Sequence, residues 1–248
     1  MTDSTRPARA AVVLAAGKGK RMKSDLPKVI HEIHGRPMVA ILLDTLKKLD
    51  FERIVVVIGH KGEMVQEALA DYPVTFVWQR EQLGTGHAVK MAREALADFD
   101  GVTLVCAGDV PFLSAKSIDR LLEVHQRTGA ATTCLSAILD DPTGYGRIVR
   151  DGESEFMNDI VEHKDASEAI LAIKEINSGT FCFDNRKLFQ VIDEIQANNA
   201  QQEYYLTDAV KIMNSKGLKA AVVSVDEPDE VRGVNSKEQL EELAAKFA

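Results

Sequence analysis

The chain has 248 residues, with 30 Lys and Arg against 38 Asp and Glu and a formal net charge of −8. Its 45% hydrophobic and 27% charged residues are ordinary for a soluble globular protein, and the acidic balance argues against a broad nucleic-acid-binding face. No apolar run approaches the roughly 18 residues of a membrane-spanning helix, so no membrane partner is expected.

The first apolar segment is "AAVVLAA" (10–16), preceded by Arg6 and Arg9. A signal peptide would carry a cleavage site after such a segment, whereas here a string of cations follows, so it reads as a first core strand. Cys106, Cys134 and Cys182 all lie in apolar stretches without short spacing. They read as buried thiols of a reducing compartment, and a cytoplasmic location is expected.

Further along, "RIVVVIGH" (53–60), "VTFVWQ" (74–79) and "VTLVCAGDV" (102–110) are β-branched apolar runs that predict buried strands. Between and after them, 38–49, 62–69, 86–99 and 114–128 carry apolar residues at three- and four-residue spacing and predict helices. Strand alternating with helix predicts an α/β chain with a largely parallel sheet covered on both faces. The rhythm breaks after "AATTCLSAIL", where a polar, Gly- and Asp-rich region at 140–170 predicts an inserted hairpin and lid on the same domain. A strand at "KEINSGTFCFD", helices near 186–197 and 206–216, a strand "KAAVVSV" and a closing helix 236–247 complete the pattern. With no internal repeat or linker, a single domain over 1–248 is expected.

In such a fold ligands sit beyond the carboxyl ends of the strands. The first predicted strand ends at Ala15-Ala16-Gly17, and the loop behind it holds Lys18, Lys20, Arg21, Lys23 and Lys28. Gly17 and Gly19 can take positive φ and turn N–H groups inward as an anion nest, and the cations suit a polyphosphate. The alternative is a solvated basic turn. It is not a P-loop, and Met22 occupies the third glycine position of the dinucleotide-binding fingerprint.

In "CAGDVPF", Asp109 ends a buried run near the same edge, where a carboxylate beside phosphate calls for a bridging cation such as Mg2+. A plain turn or cap aspartate is the other reading. In "EQLGTGHA", Gly84 and Thr85 precede a helix, with Thr85 either an N-cap or a reader of base or phosphate. "PTGYGRI" likewise reads as a turn. His31 and His34 have the wrong spacing for a zinc helix, no Gly-x-Ser-x-Gly elbow occurs, and no side-chain nucleophile stands out. What remains is positioning with charge neutralisation, as in metal-assisted attack on a phosphate.

"LAAGKGKRMKSDLPKV" resembles the signature loop of the sugar-nucleotidyltransferases. "QREQLGTGHA", "GDVP", "DDPTGYGRI", "IVEHKDA", "EIN.G", "EYYLTD" and "GVN" follow in order, from about residue 10 to 240. Together they look like the uridylyltransferase half of the bacterial bifunctional N-acetylglucosamine-1-phosphate uridylyltransferase/acetyltransferase family. The resemblance implies a Rossmann-like nucleotidyltransferase fold with a largely parallel mixed sheet, and uridylyl transfer from UTP to N-acetylglucosamine 1-phosphate with Mg2+. It implies that the backbone of Leu14, Ala15, Ala16 and Gly17 holds the nucleotide, with Ala107 and Gly108 beside it. Gln79, Gly84 and Thr85 would read uracil, and Arg21 and Lys28 would stabilise phosphate charge as the catalytic pair. Asp109 and Asn235 would hold the metal, Asn235 also contacting the nucleotide. Gly146, Glu162 and Asn177 would recognise the amino sugar.

Three positions depart from the family pattern: Lys20 stands for Thr, Ala107 for an aromatic residue, and Ser178 for Thr. The chain ends at Ala248 without the family's left-handed β-helix, as an excised domain or a stand-alone transferase would. Neither acetyltransferase activity nor the trimer contacts of that half are then expected, and oligomeric state is not legible. The alternatives are the same chemistry on another sugar 1-phosphate and a non-catalytic nucleotide-sensing module.

Overall fold

The structure, a computed structural model, describes residues 6–247 except for the side chain of Lys20. Strand β1 (Arg9–Ala15) leads through 3-10 turns at Lys20–Met22 and Lys28–Ile30 to a small hairpin, β2 (Glu32–Ile33) and β3 (Arg36–Pro37). Helix α1 (Met38–Leu46), β4 (Arg53–Ile58), α2 (Gly62–Ala68), β5 (Thr75–Trp78), α3 (Thr85–Met91), β6 (Val102–Ala107) and α4 (Ala115–Thr128) follow. The second half comprises β7 (Thr132–Ile138), β8 (Arg147–Arg150), β9 (Met157–Val161), α5 (Glu168–Leu171), β10 (Glu175–Asp184), α6 (Asn185–Val191), α7 (Asp208–Ser215), β11 (Ala220–Ser224) and α8 (Lys237–Lys246).

β1 is central because its side chains are apolar on both faces. Ala11, Val13 and Ala15 pack into one core cluster, with α1, α2 and α4 residues. Ala10 and Val12 pack into the opposite cluster, with residues of α3, α6 and α7. Burying a valine fully contributes about 1.5–3 kcal/mol relative to leaving it exposed, so a strand apolar on both sides is driven to the middle of the sheet. The first segment is therefore core, as its sequence predicts.

Among the described residues the sheet has nine strands in the order β11-β7-β10-β6-β1-β4-β5, with β8 paired to β10 and β9 to β8. β1 pairs in parallel with both β4 and β6, β4 with β5, and β11 with β7. β10 runs antiparallel to β6 and β7 and makes the sheet mixed. Successive strands leave β1 in opposite directions, which creates a topological switch point beyond Ala15.

Two expectations change. The helix predicted over 86–99 closes at Met91 and continues as a 3-10 turn at Glu94–Leu96. The one near 186–197 is α6 plus a 3-10 turn at Ile192–Glu194. Arg93, in the first break, is held by Phe189 O and Asp193 beside the second, so a tertiary contact overrides a continuous helical pattern.

The 140–170 region contains the β8–β9 hairpin. It joins β10 at Arg147↔Ile176 and is fastened by Asn214 Nδ2 to the Met157 and Asn158 carbonyls. At the far end, α8 returns to the β2–β3 hairpin through Leu243, buried with Ile33, Met38 and Val234. Phe112 and Phe247 stack there at 4.1 Å between centroids.

Candidate active site

A cleft of about 480 Å3 opens at the switch point. Of the residues singled out in the sequence, Leu14, Ala16, Gly17, Lys28, Gln79, Gly84, Thr85, Ala107 and Asp109 line it. Ala15 instead buries its methyl group in the core. Gly108 lies one layer below: its N–H donates to Leu14 O at 2.9 Å, and a Cβ there would come within 3.2 Å of that oxygen.

The two loop glycines differ. Gly19 has φ +56°, and an added Cβ would stand 2.7 Å from Lys28 Cβ. It thus permits both the left-handed turn and the close passage of the Lys28 backbone. Gly17 does not adopt positive φ, and a Cβ there meets nothing within 4 Å. The expectation that both glycines use positive φ holds for Gly19 alone. Lys18 also borders the cleft, and the Lys20 side chain lies outside the described residues.

Charge converges at the cleft floor. Pro27, extended at ψ 137°, starts the 3-10 turn that carries Lys28. The Lys28 ammonium donates to the Asp109 carboxylate and, at 3.0 Å, to Asn235 Oδ1. Arg21 Nη2 donates to the same Asn235 oxygen at 2.8 Å. Asn235 Nδ2 is engaged by Gly233 O at 3.1 Å, which fixes which end of the amide faces the cations. Val234 N–H bonds Asp109 O at 2.9 Å and tethers this segment to the end of β6.

Two hard oxygen donors, a carboxylate and an amide, thus share one cation position. That donor set fits a divalent cation taking its other ligands from phosphate and water. Among the described residues no group of three or more His, Cys, Asp or Glu forms a metal cage.

On the cleft's other wall, Gln79 is buried and its Nε2 donates to Gly84 O at 3.0 Å and meets His87 Nδ1 at 3.1 Å. Gly84 has φ +113°, and a Cβ there would collide with the Tyr204 backbone at 2.6 Å. The cap of α3 is Gly84, not Thr85. Thr85 Oγ1 instead accepts from Leu206 N–H at 3.0 Å, stitching this loop to the "EYYLTD" segment. Gln82 and Glu203 also line the cleft and had no sequence signal as site residues. Gln82 Nε2 donates to Gln79 O at 2.9 Å, a local turn contact that no motif spacing reveals.

Gly146, Glu162 and Asn177 come together from three strands or their ends. A Cβ on Gly146 would lie 3.3 Å from both Glu162 carboxylate oxygens, and Asn177 N–H donates to Gly146 O at 2.9 Å. Thr207 Oγ1 donates to Glu162 Oε1 at 3.2 Å, so the adjacent residues 206 and 207 bond Thr85 and Glu162 in turn, although Gly146, Glu162 and Asn177 do not themselves line the cleft. Burial raises the Glu162 carboxyl above its ordinary range, Thr207 opposes this, and Asp208 and Asp165 reinforce it. A β-bulge between Asn177 and Thr180 re-aims Asn177. Its Oδ1 accepts from Gly179 N–H at 2.8 Å and from the Cys134 thiol at 3.3 Å, leaving the NH2 end as donor. Ser178 Oγ donates to Leu135 O at 2.6 Å within the bulge. The "PTGYGRI" stretch does turn, Tyr145 N–H donating to Pro142 O at 3.2 Å, and Arg147 beyond the turn is buried in β8.

The three cysteines are buried and free, and burial pushes the Cys106 thiol up to about 12 and raises the other two. They are poor nucleophiles. His31 and His34 bond to backbone carbonyls, His34 Nε2 meeting Ala244 O at 3.0 Å. Among the described residues no helix is long and apolar enough to cross a membrane.

A switch-point cleft with a basic loop and a carboxylate–amide pair defines an α/β domain of the nucleotidyltransferase class. Residues 11–176 match the MobA-like NTP transferase domain, and the chain belongs to that family. It is similar to the "Bifunctional protein GlmU" of Brevibacillus brevis (strain 47), 49% identical over 235 residues, covering 95% of this chain and 50% of the relative. GlmU of Clostridium novyi (strain NT) is 47% identical over 234 residues, covering 94% of this chain and 51% of that protein. The chain spans about half the length of the curated relatives it matches.

Two solved structures share the fold. A UDP-glucose pyrophosphorylase complexed with UDP-glucose superposes with a TM-score of 0.74 at 15% identity, covering 97% of this chain and 98% of that one. HddC from Yersinia pseudotuberculosis complexed with GMP-PN gives 0.70 at 20% identity, covering 96% and 99%.

Proposed function

We propose that this chain transfers the uridylyl group of UTP to N-acetylglucosamine 1-phosphate, forming UDP-N-acetylglucosamine and pyrophosphate. The observation that carries the reading is the convergence of Lys28, Arg21, Asp109 and Asn235 on one point, where Lys28 and Asp109 line the switch-point cleft. The ordered motifs from about residue 10 to 240, together with the similarity to GlmU sequences across most of this chain, support a sugar-1-phosphate uridylyltransferase.

The acceptor is already anionic, so no general base is required. Its phosphate oxygen forms a bond to the α-phosphorus, the bond from that phosphorus to the bridging oxygen breaks, and the electron pair leaves with pyrophosphate. The barrier lies in bringing two anions together and in charge growing on the leaving group. Arg21 and Lys28 counter both. Asp109 and Asn235 would hold Mg2+, which when bound neutralises phosphate charge.

The backbone from Leu14 to Gly17 gives the nucleotide a close approach, and Gln79, Gly84 and Thr85 read the base. Gly146, Glu162 and Asn177 recognise the amino sugar: Glu162 accepts from hydroxyl or amide N–H, and the Asn177 NH2 donates. Ala107, smaller than the aromatic residue usual in the family, leaves room on the cleft wall and favours as second reading another sugar 1-phosphate.

The test is pyrophosphate release from a panel of nucleotides and sugar 1-phosphates, with and without Mg2+. The expected result is Mg2+-dependent release with UTP and N-acetylglucosamine 1-phosphate ahead of other pairs. Preference for another sugar supports the second reading, and no release from any pair supports a nucleotide-sensing module.

A further inference from the structure

We infer that Gln239 is a positioning residue for the cation site, acting through Asn235; the inference rests on the reading of Asp109 and Asn235 as cation ligands. Asn235 sits immediately before Ser236, the N-cap of α8. Its side chain is fixed at one end by Gly233 O and points the other at Lys28 and Arg21. Its main chain is fixed by Gln239: the Gln239 Oε1 accepts from Asn235 N–H at 2.8 Å, while Ser236 Oγ accepts from Gln239 N–H at 3.3 Å. This is a reciprocal capping arrangement, shifted one residue upstream of the usual box.

An ordinary cap satisfies helix N–H groups and nothing more. This one ends on the residue whose amide oxygen completes a donor pair with a carboxylate 126 positions earlier in the chain. The far part of α8 is anchored independently, by Leu243 in the core, by Phe247 stacked on Phe112, and by Lys246 paired with Asp229. Loss of the Gln239 oxygen therefore leaves the helix docked and loosens only its first turn, with Asn235 on it. Supporting groups behind a metal ligand commonly change affinity by about 10- to 100-fold when removed.

Gln239→Met keeps length and helix propensity but removes the acceptor; Gln239→Glu keeps an acceptor oxygen. Binding of Mn2+ in the presence of UTP, followed by water-proton relaxation, reads the site without turnover. The expected result is a roughly tenfold weaker Mn2+ dissociation constant in Gln239→Met and less than a twofold change in Gln239→Glu. The Mg2+ concentration for half-maximal pyrophosphate release should rise in parallel, with kcat at saturating Mg2+ nearly unchanged and the unfolding temperature close to that of the unaltered protein. Mn2+ binding by Gln239→Met equal to that of the unaltered protein overturns the inference, as does equal weakening in Gln239→Glu. Absence of Mn2+ binding by the unaltered protein overturns the cation-site reading, and the inference with it.

Discussion

The Lys28 ammonium donates to Asn235 Oδ1 at 3.0 Å while lying against the Asp109 carboxylate. These residues come from the loop behind β1, the turn before α8 and the end of β6, so one cation ties three distant segments at the cleft floor. Asp109 is thereby neutralised, and the oxygens that hold the ammonium have the chemistry that would hold a divalent ion.

Arg21 is exposed and donates to the same oxygen at 2.8 Å. Arg21→Ala is expected to lower kcat by about 10²- to 10³-fold, the usual cost of removing one charge-stabilising donor. The unfolding temperature should stay near that of the unaltered protein, because an exposed side chain is removed. Steady-state pyrophosphate release with a thermal melt checks both; a well-folded variant with near-normal release contradicts the role.

The glycines of the first loop separate backbone strain from ligand access. Gly19→Ala puts a Cβ 2.7 Å from Lys28 Cβ at φ +56°, so loss of about 1 kcal/mol or more of stability is expected, together with displaced Lys28 and reduced turnover. Gly17→Ala meets open space. It should melt normally and raise the KM for UTP. Equal melting temperatures for the two variants would contradict this distinction.

Glu162 is raised by burial first, with Asp208 and Asp165 adding to the shift. If the ionised form accepts from the sugar, affinity falls as pH drops through this raised value, earlier than for an ordinary carboxylate. The KM for the sugar phosphate should therefore increase on acidification from neutral pH. Glu162→Gln should show a higher and flatter KM profile while the KM for UTP changes little.

His125 is buried against Thr133 Oγ1 at 2.9 Å, and burial lowers its pKa to about 4, with Asp184 opposing and Lys187 adding to the shift. The folded value lies below that of the unfolded chain, near 6.5, so the unfolded state takes up the proton first. The stability from neutral His125 is whole above pH 6.5 and is lost as pH falls from there toward 4, by at most about 1.4 kcal/mol per pH unit. Urea unfolding at stepped pH measures the slope, and His125→Gln should flatten it.

The first half of the fold was legible because β1, β4 and β6 are apolar on both faces, the pattern of a strand covered on both sides in the interior of a sheet. The loop behind β1 was legible because its glycines and cations are adjacent in sequence. Other features depend on partners far away. Thr85 reads locally as a helix cap, but its hydroxyl accepts from Leu206, 121 residues on. Arg147 sits in a turn-like motif, yet pairing of β8 with β10 buries it. Gln82 and Glu203 enter the cleft through a turn and a loop crossing that carry no periodic signal. Gln239 looks like one more polar residue of a surface helix until the return of α8 places it behind Asn235.

The most direct measurement is phosphorus NMR of the protein with UTP, N-acetylglucosamine 1-phosphate and Mg2+. Both substrates are expected to disappear with equal gain of UDP-N-acetylglucosamine and pyrophosphate, and this conversion to be abolished in Asp109→Asn at the same protein concentration. Substrate resonances that persist unchanged with the folded, unaltered protein would contradict the proposed transfer.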